Sequence, residues 1–199
     1  MRALLKLSSI IDAINSHIGR WLSWLILVVV LVSATNATVR KVFDTSSNAW
    51  LELQWVLFGI VFLLCAPWTL LDNEHIRIDI IYNMLSNRAR STIDIIGHVL
   101  FLLPLTIIMI VTSVPFFIRS LAINEQSTNA GGLPQWPSKA LVMIGFILLF
   151  AQAISEIIKR VAVLRGALPD PHADAEPHPY ETESVRVLDT GAPDPSSPR

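Results

Sequence analysis

The chain lacks ionisable side chains over four long stretches of its 199 residues, and this absence is its most informative feature. No Asp, Glu, Lys or Arg occurs in Trp21–Val39, Leu53–Leu71, Ile95–Ile118 or Ala140–Ser155. Ion and proton pathways through a membrane are normally marked by such residues, which are costly in lipid and retained for function. Their absence argues against a chain that carries charge by itself, and it favours a subunit of a larger assembly.

Other absences exclude whole classes of function. The chain has one cysteine, so it can form neither an intrachain disulfide nor a cysteine cluster for a metal. It contains no catalytic triad, metal-ligand cluster, P-loop or glycine-rich nucleotide motif. It has no basic stripe with interleaved aromatic residues, which argues against a nucleic-acid partner. We therefore expect no enzyme activity, no catalytic or metal-binding residues and no cofactor.

What the chain does have is apolar sequence in blocks long enough to cross a membrane. Hydrophobic residues make up 52% of it, and a helix of about 20 residues spans a hydrocarbon core of about 30 Å. We predict an all-α integral membrane protein with a membrane domain over residues 21–165. Its four transmembrane helices are expected at about 21–39, 53–71, 93–118 and 140–158. Lys and Arg are more numerous on the side that holds the termini, so both termini are predicted to be cytoplasmic.

The two ends of the chain differ from the membrane domain. Residues 1–20 are predicted to form an amphipathic helix at the membrane surface or against a partner. Its apolar stripe consists of Leu4, Leu7, Ile11, Ile14 and Ile18, with Lys6, Asp12 and Asn15 off the stripe. Residues 167–199 hold seven of the twelve prolines and seven acidic residues. With few large apolar side chains to bury, this tail is predicted to be disordered and cytoplasmic.

The cytoplasmic connection at 72–92 is predicted to be more than a turn. It contains His75-Ile-Arg-Ile-Asp79, followed by apolar residues that group on one helical face. We expect an interfacial helix across the bilayer plane over 75–90, because an isolated strand there would leave its backbone groups unpaired. Asp79 is expected to pair with Arg77.

The periplasmic connection at 119–139 also carries structural signals. Gly131-Gly132 require a turn, and Trp136 lies at the depth of an aromatic belt. Lys139 opens the fourth span. The remaining backbone signals lie inside spans two and three, where kinks are predicted at Pro67, Pro104 and Pro115.

A few polar residues lie in or beside the spans, and each requires a partner. Glu52 and Gln54 begin span two. We expect Glu52 to be an interfacial carboxylate, with a bond to a partner helix or a coupling ion as the alternative. Asp94 is expected to pair with Arg90 at the cytoplasmic surface. Gln152 is costly to leave unpaired in lipid, which predicts an inter-helix hydrogen bond.

Two alternative functions remain open from the residues alone. His75 and His98 lie near one face of the membrane, as the ligands of a haem- or quinone-binding anchor of a respiratory enzyme would. His75 is outside the apolar span, however, and no second histidine pair exists. A self-sufficient carrier working as a homo-oligomer is disfavoured by the uncharged spans and by the lack of a visible internal repeat.

Four sequence runs occur in an order that resembles a known family. They are Glu52-Leu-Gln-Trp55, His75-Ile-Arg-Ile-Asp79, Gly131-Gly-Leu-Pro-Gln-Trp-Pro-Ser-Lys139, and Gly145-Phe-Ile-Leu-Leu followed by Gln152. Separated by membrane spans, they resemble the small permease subunit, of DctQ type, of tripartite ATP-independent periplasmic (TRAP) transporters. The resemblance covers about residues 15–165 and leaves out the tail.

The resemblance implies a membrane scaffold in the bacterial inner membrane. In such systems a periplasmic solute-binding protein captures an organic acid, often a carboxylate, and a large multi-span permease subunit moves it inward with a sodium gradient. The small subunit packs beside the large one in the membrane lipid and helps to dock the binding protein. The residues expected at partner contacts are Glu52, Gln54, His75, Arg77, Asp79, Arg119, Glu125, Gly131, Gly132, Trp136, Lys139 and Gln152.

Overall fold

A computed structural model of the chain describes residues 2–44, 47–72 and 87–168, and every regular element within these ranges is a helix. The elements are α1 (Arg2–Ser23), α2 (Leu25–Phe43), α3 (Asn48–Leu71), α4 (Asn87–Gly97), a π-helical turn (His98–Leu102), α5 (Leu103–Ala122) and α6 (Trp136–Leu164). Four helical segments are long and apolar enough to cross a membrane: Arg2–Phe43, Asn48–Leu71, Ala89–Ala122 and Trp136–Leu164. The predicted all-α membrane fold with four such helices is confirmed.

The helices extend beyond the apolar stretches from which they were predicted. α1 and α2 are interrupted only at Trp24, whose carbonyl accepts a hydrogen bond from the backbone N–H of Leu27 at 3.2 Å. The fourth spanning helix, α6, is 29 residues long and continues past both ends of the apolar stretch. Charged residues are tolerated in the last turns of a helix where the chain leaves the hydrocarbon, so hydropathy detects the middle of a span better than its ends.

The spanning helices pack in an open row rather than in a closed bundle. The order in the row is α2, α3, α6 and α5, because α2 packs against α3, α3 against α6, and α6 against α5. The N-terminal helix α1 lies across α3 and α6, and α4 also contacts α6. Helix α6 is therefore the centre of the fold and has the largest share of buried residues among the spanning helices.

The inside of the protein is polar and its outside is apolar. Only three hydrophobic residues in the described ranges are buried, namely Leu70, Ala153 and Ala162. Twelve buried residues are polar or charged, whereas large apolar side chains such as Phe62 and Val111 are more than 60% exposed. This arrangement follows from the solvent, because lipid accommodates apolar side chains and leaves polar groups to find partners within the protein.

Helix α1 forms as predicted, and the structure shows which of its sides packs inward. Ser8, Asn15 and Gly19 are its buried residues, whereas Leu4 and Leu7 on the predicted apolar stripe are about half exposed. At Gly19 the helix comes very close to the indole of α3, since a Cβ atom there would lie 2.5 Å from ring atoms of Trp68. The polar side of α1 faces the protein, and its apolar side faces outward.

The proline positions coincide with one clear irregularity. The π-helical turn ends where the backbone N–H of Leu103 donates to the carbonyl of His98, directly before Pro104. A π-helical turn absorbs one extra residue in a helix. Pro67 and Pro115 lie inside α3 and α5, and the kinks expected at the three prolines stay predictions.

Several predictions fall outside the described residues. They concern His75, Arg77 and Asp79, the pairing of the last two, most of the interfacial helix expected over 75–90, and nearly all of the tail, since the described ranges end at residue 168.

Candidate functional site

The loop between α5 and α6, residues 123–135, is a closed hairpin. The backbone N–H of Ser127 donates to the carbonyl of Leu133 at 3.1 Å, and that of Gln135 donates to the carbonyl of Glu125 at 2.9 Å. An isolated antiparallel bridge lies between these two bonds. We call this segment the α5–α6 loop.

The tip of the α5–α6 loop turns where the sequence predicted a turn. Gly131 has a φ of +71°, a conformation that glycine adopts without strain. The backbone N–H of Gly132 donates to the carbonyl of Asn129 at 3.0 Å, which closes the turn. The side chain of Asn48 donates to the carbonyl of Ala130 at 3.0 Å and ties the tip to the start of α3.

Glu52 is the anchor of this loop. One carboxylate oxygen, Oε1, accepts a hydrogen bond from the Ser127 hydroxyl and another from the Asn129 amide at 2.9 Å. The other oxygen, Oε2, accepts the backbone N–H of Leu133 at 2.6 Å. Glu52 is only 5% exposed and is enclosed by three donors of its own chain. The interfacial position that the sequence favours for this carboxylate stays a prediction.

Gly132 is required by the close approach of the loop to this carboxylate. A Cβ atom at Gly132 would lie 2.5 Å from the Cβ of Ser127 and 2.7 Å from Oε1 of Glu52. Real side chains do not tolerate such contacts, so the loop can reach Glu52 only with glycine at this position.

The residues on either side of the loop form a second set of contacts. Lys139 donates to the carboxylate of Glu125, and its ammonium lies 3.9 Å from the centroid of the Phe116 ring. The hydrogen bond from Lys139 lowers the pKa of Glu125 below its ordinary value of about 4.5. Arg119 is exposed, and Trp136 is half-buried as the first residue of α6.

A groove of about 540 Å³ lies between α3 and α6 beneath this loop. We call it the loop groove. Its apolar floor comes from the two helices and its rim from the loop. The lining residues are Glu52, Trp55, Val56, Gly59, Leu63, Glu125, Gln126, Ser127, Thr128, Asn129, Leu133, Pro134, Gln135, Ser138, Leu141 and Val142.

A separate cluster of polar contacts joins α1 to α6. At its centre is Gln152, which is fully buried. Its Oε1 accepts a hydrogen bond from the amide of Asn15 at 2.7 Å, and its Nε2 donates to Asp12 at 2.9 Å and to Glu156 at 3.0 Å. The predicted inter-helix hydrogen bond of Gln152 is confirmed.

Charged groups extend this cluster, which we call the α1–α6 seam. The hydroxyl of Ser155 donates to Asp12 at 2.7 Å and also lies 2.7 Å from the hydroxyl of Ser8. The ammonium of Lys159 lies 3.0 Å from Asp12 and 2.5 Å from Glu156. One lysine therefore serves two carboxylates at the contact between the helices.

The seam could have been found from the sequence. Ser8, Asp12 and Asn15 are spaced by four and three residues, so they lie on one side of a helix. The apolar stripe lies beside them on the same helix, and in a soluble protein such a stripe would be the side that faces the core. In a membrane the polar stripe is the one that needs a protein partner.

The remaining candidate residues occupy different surroundings. Asp94 on α4 pairs with Arg160 on α6 at 3.3 Å, and both are buried. Nδ1 of His98 lies 2.5 Å from the carbonyl oxygen of Asp94 in its own helix. Gln54 is half-buried, and its side chain makes no hydrogen bond within the described ranges. These ranges contain no group of three or more His, Cys, Asp or Glu residues able to hold a metal ion.

Comparison with known proteins gives one match. A family model described as the DctQ component of tripartite ATP-independent periplasmic transporters matches residues 29–163, which is more than half of the chain. The match begins after α1 and ends at the last turn of α6. No curated protein and no solved structure matches the chain. The haem-binding alternative gains no support from these findings. The chain therefore belongs to the DctQ family, the small membrane component of TRAP transporters in the inner membrane.

Proposed function

We propose that the chain is the scaffold subunit of a sodium-driven TRAP transporter for an organic acid. It holds the large permease subunit in the membrane and docks the solute-binding protein on the periplasmic side. Both of its termini are cytoplasmic, so the α5–α6 loop faces the periplasm. Family membership supports the assembly, and the contacts within the chain support each of the two roles.

The scaffold role is supported by the way the chain uses its charged groups. Asp12, Glu156 and Lys159 satisfy one another in the α1–α6 seam, and Asp94 pairs with Arg160. These pairs hold helices together at α6. A pathway for sodium or for an anionic solute needs polar groups that face an aqueous cavity, whereas these groups face neighbouring helices of the same chain.

The docking role is carried by one observation, the convergence of three hydrogen-bond donors on Glu52. This anchor holds the α5–α6 loop in one conformation before any partner binds. A preorganised surface loses less conformational entropy on association and so binds more tightly. Arg119 is exposed at the end of α5, beside this loop, where a protein arriving from the periplasm meets it.

The docking role is tested with the isosteric substitution Glu52→Gln in the reconstituted three-component transporter. Replacing one carboxylate oxygen by an NH₂ group sets a donor against a donor, so the loop loses its anchor. We expect affinity for the binding protein, measured on complexes that contain the large subunit, to fall about tenfold. The matched control is Asp44→Asn, the same isosteric exchange at an exposed carboxylate directly after α2. Unchanged affinity in Glu52→Gln would show that the loop is not the docking surface.

Sodium coupling, the class of solute and the orientation are tested separately. Uptake of radiolabelled carboxylates into vesicles should stop when choline replaces external sodium, and uptake that continues would contradict sodium coupling. A membrane-impermeant thiol reagent should label a Thr128→Cys variant from outside intact spheroplasts. Labelling only after lysis would reverse the proposed orientation.

A further inference from the structure

The loop groove reaches from the end of the membrane domain deep into a span. Gly59 lies eleven residues after Asn48, the first residue of α3, which corresponds to about 16 Å along the helix axis. The groove closes near Leu63, where a Cβ atom at Gly145 of α6 would lie 3.0 Å from Leu63. Above this point α3 and α6 leave a space between them.

The floor of the groove offers room for a close approach. A Cβ atom at Gly59 would meet no atom within 4 Å, and the neighbouring Trp55 is 66% exposed. Small residues beside a concave apolar surface allow another helix to pack closely in a membrane.

The rim offers hydrogen bonds without free charge. Within the described part of the chain, the side chains of Thr128, Gln135 and Ser138 make no hydrogen bond. The two carboxylates at the rim are already in use, because Glu52 accepts three hydrogen bonds and Glu125 pairs with Lys139. The groove therefore suits a neutral occupant that has apolar side chains and unpaired polar groups at one end.

We infer that the loop groove receives one helix end of the large permease subunit. The last turn of a helix carries backbone carbonyls without partners, and its first turn carries N–H groups without partners. The rim supplies side chains that can donate to such carbonyls or accept from such N–H groups, and the floor receives apolar side chains of the helix. The floor reaches too far into the span for a water-soluble binding protein. A phospholipid could fill the floor with an acyl chain, but its phosphate would meet a lining that contains two carboxylates and no lysine or arginine. This inference rests on the proposed function.

The test is protection of a thiol placed in the groove. In a Cys65→Ser background, Gly59→Cys puts a thiol on the floor where the added atoms meet open space. The matched control is Val111→Cys on α5, a position that is 65% exposed. Val111 lies eleven residues from the end of α5, so it has the same depth in the membrane as Gly59, which lies eleven residues from the start of α3. A membrane-permeant maleimide is applied to each variant alone and with the large subunit. We expect labelling of Gly59→Cys to slow at least tenfold in the complex, with Val111→Cys unchanged.

Each other outcome has a separate meaning. If the large subunit co-purifies and Gly59→Cys labels as fast as before, the groove is not its seat, and the proposed scaffold role stands. If no large subunit co-purifies even with the unaltered chain, the proposed function fails and the inference with it. If Gly59→Cys labels as slowly in the chain alone as in the complex, and labels faster after delipidation, a lipid occupies the groove and the inference is wrong.

A filling variant gives an independent measurement. Gly59→Leu should reduce the recovered large subunit about tenfold, while Val111→Phe, which adds bulk to the control position, should not. Recovery equal to that of the unaltered chain would overturn the inference.

Discussion

Replacing Gln152 by leucine tests whether the α1–α6 seam holds the N-terminal helix in place. The two side chains are similar in volume, so the change removes hydrogen bonds with little change in packing. Three bonds disappear, to Asn15, Asp12 and Glu156. Inter-helix hydrogen bonds in membranes contribute about 0.6 kcal/mol on average and about 1.7 kcal/mol at most. Only the bonds to Asn15 and Asp12 join two helices, whereas the bond to Glu156 lies within α6. The expected loss of stability is therefore about 1–3 kcal/mol, towards the upper part because Asp12 is a carboxylate.

The partners left behind add to the effect. The Oδ1 atom of Asn15 already has no hydrogen-bond partner within the described ranges, so its side chain would then be buried without any bond. Unfolding by SDS in mixed micelles gives the free energy of unfolding. The control is Gln54→Leu, the same substitution at a glutamine whose side chain makes no hydrogen bond within the described ranges. Equal effects of the two substitutions would refute the role of the seam.

Three further predictions concern the loop and the N-terminal helix. Gly132→Ala should open the α5–α6 loop at a cost of about 1–3 kcal/mol, seen as faster hydrogen exchange in that loop; unchanged exchange would contradict it. The pKa of Glu125 is lowered in the folded protein, so its pair with Lys139 stabilises the folded loop above pH 4.5, and this stabilisation is lost as pH falls through the lower folded pKa. Hydrogen exchange of the loop amides should therefore rise at that pH, and Lys139→Met should abolish the rise. Gly19→Ala should destabilise by about 1–3 kcal/mol through contact with the indole, whereas Gly97→Ala, which meets open space, should not lower the melting temperature in detergent.

The features that the sequence predicted depend on local patterns. The four spans follow from charge-free stretches of sufficient length, and the turn at Gly131–Gly132 follows from the backbone preferences of glycine. The hydrogen bond of Gln152 follows from the cost of an unpaired amide in lipid. Each of these arguments needs only the neighbouring sequence and the nature of the surrounding solvent.

The features that it did not predict depend on distant partners. Glu52 bonds to groups that are 75 to 81 residues away, and nothing near Glu52 in the chain indicates a loop folded back over it. The orientation of α1 depends on the surrounding solvent. Helical periodicity identifies an apolar and a polar side, and which of them is covered by protein depends on whether the helix lies in water or in lipid.

The α1–α6 seam also has a consequence for the time course of biosynthesis. The residues of α1 and their partners on α6 are separated by 137 to 147 positions. At about 5–20 residues per second, the ribosome needs on the order of ten seconds to make the chain between them. During that interval Asp12 and Asn15 have no partner, and a nascent chain that stalls before α6 presents both to membrane proteases and chaperones. The synthesis of α6, the last of the described helices, thus determines when α1 becomes part of the protein.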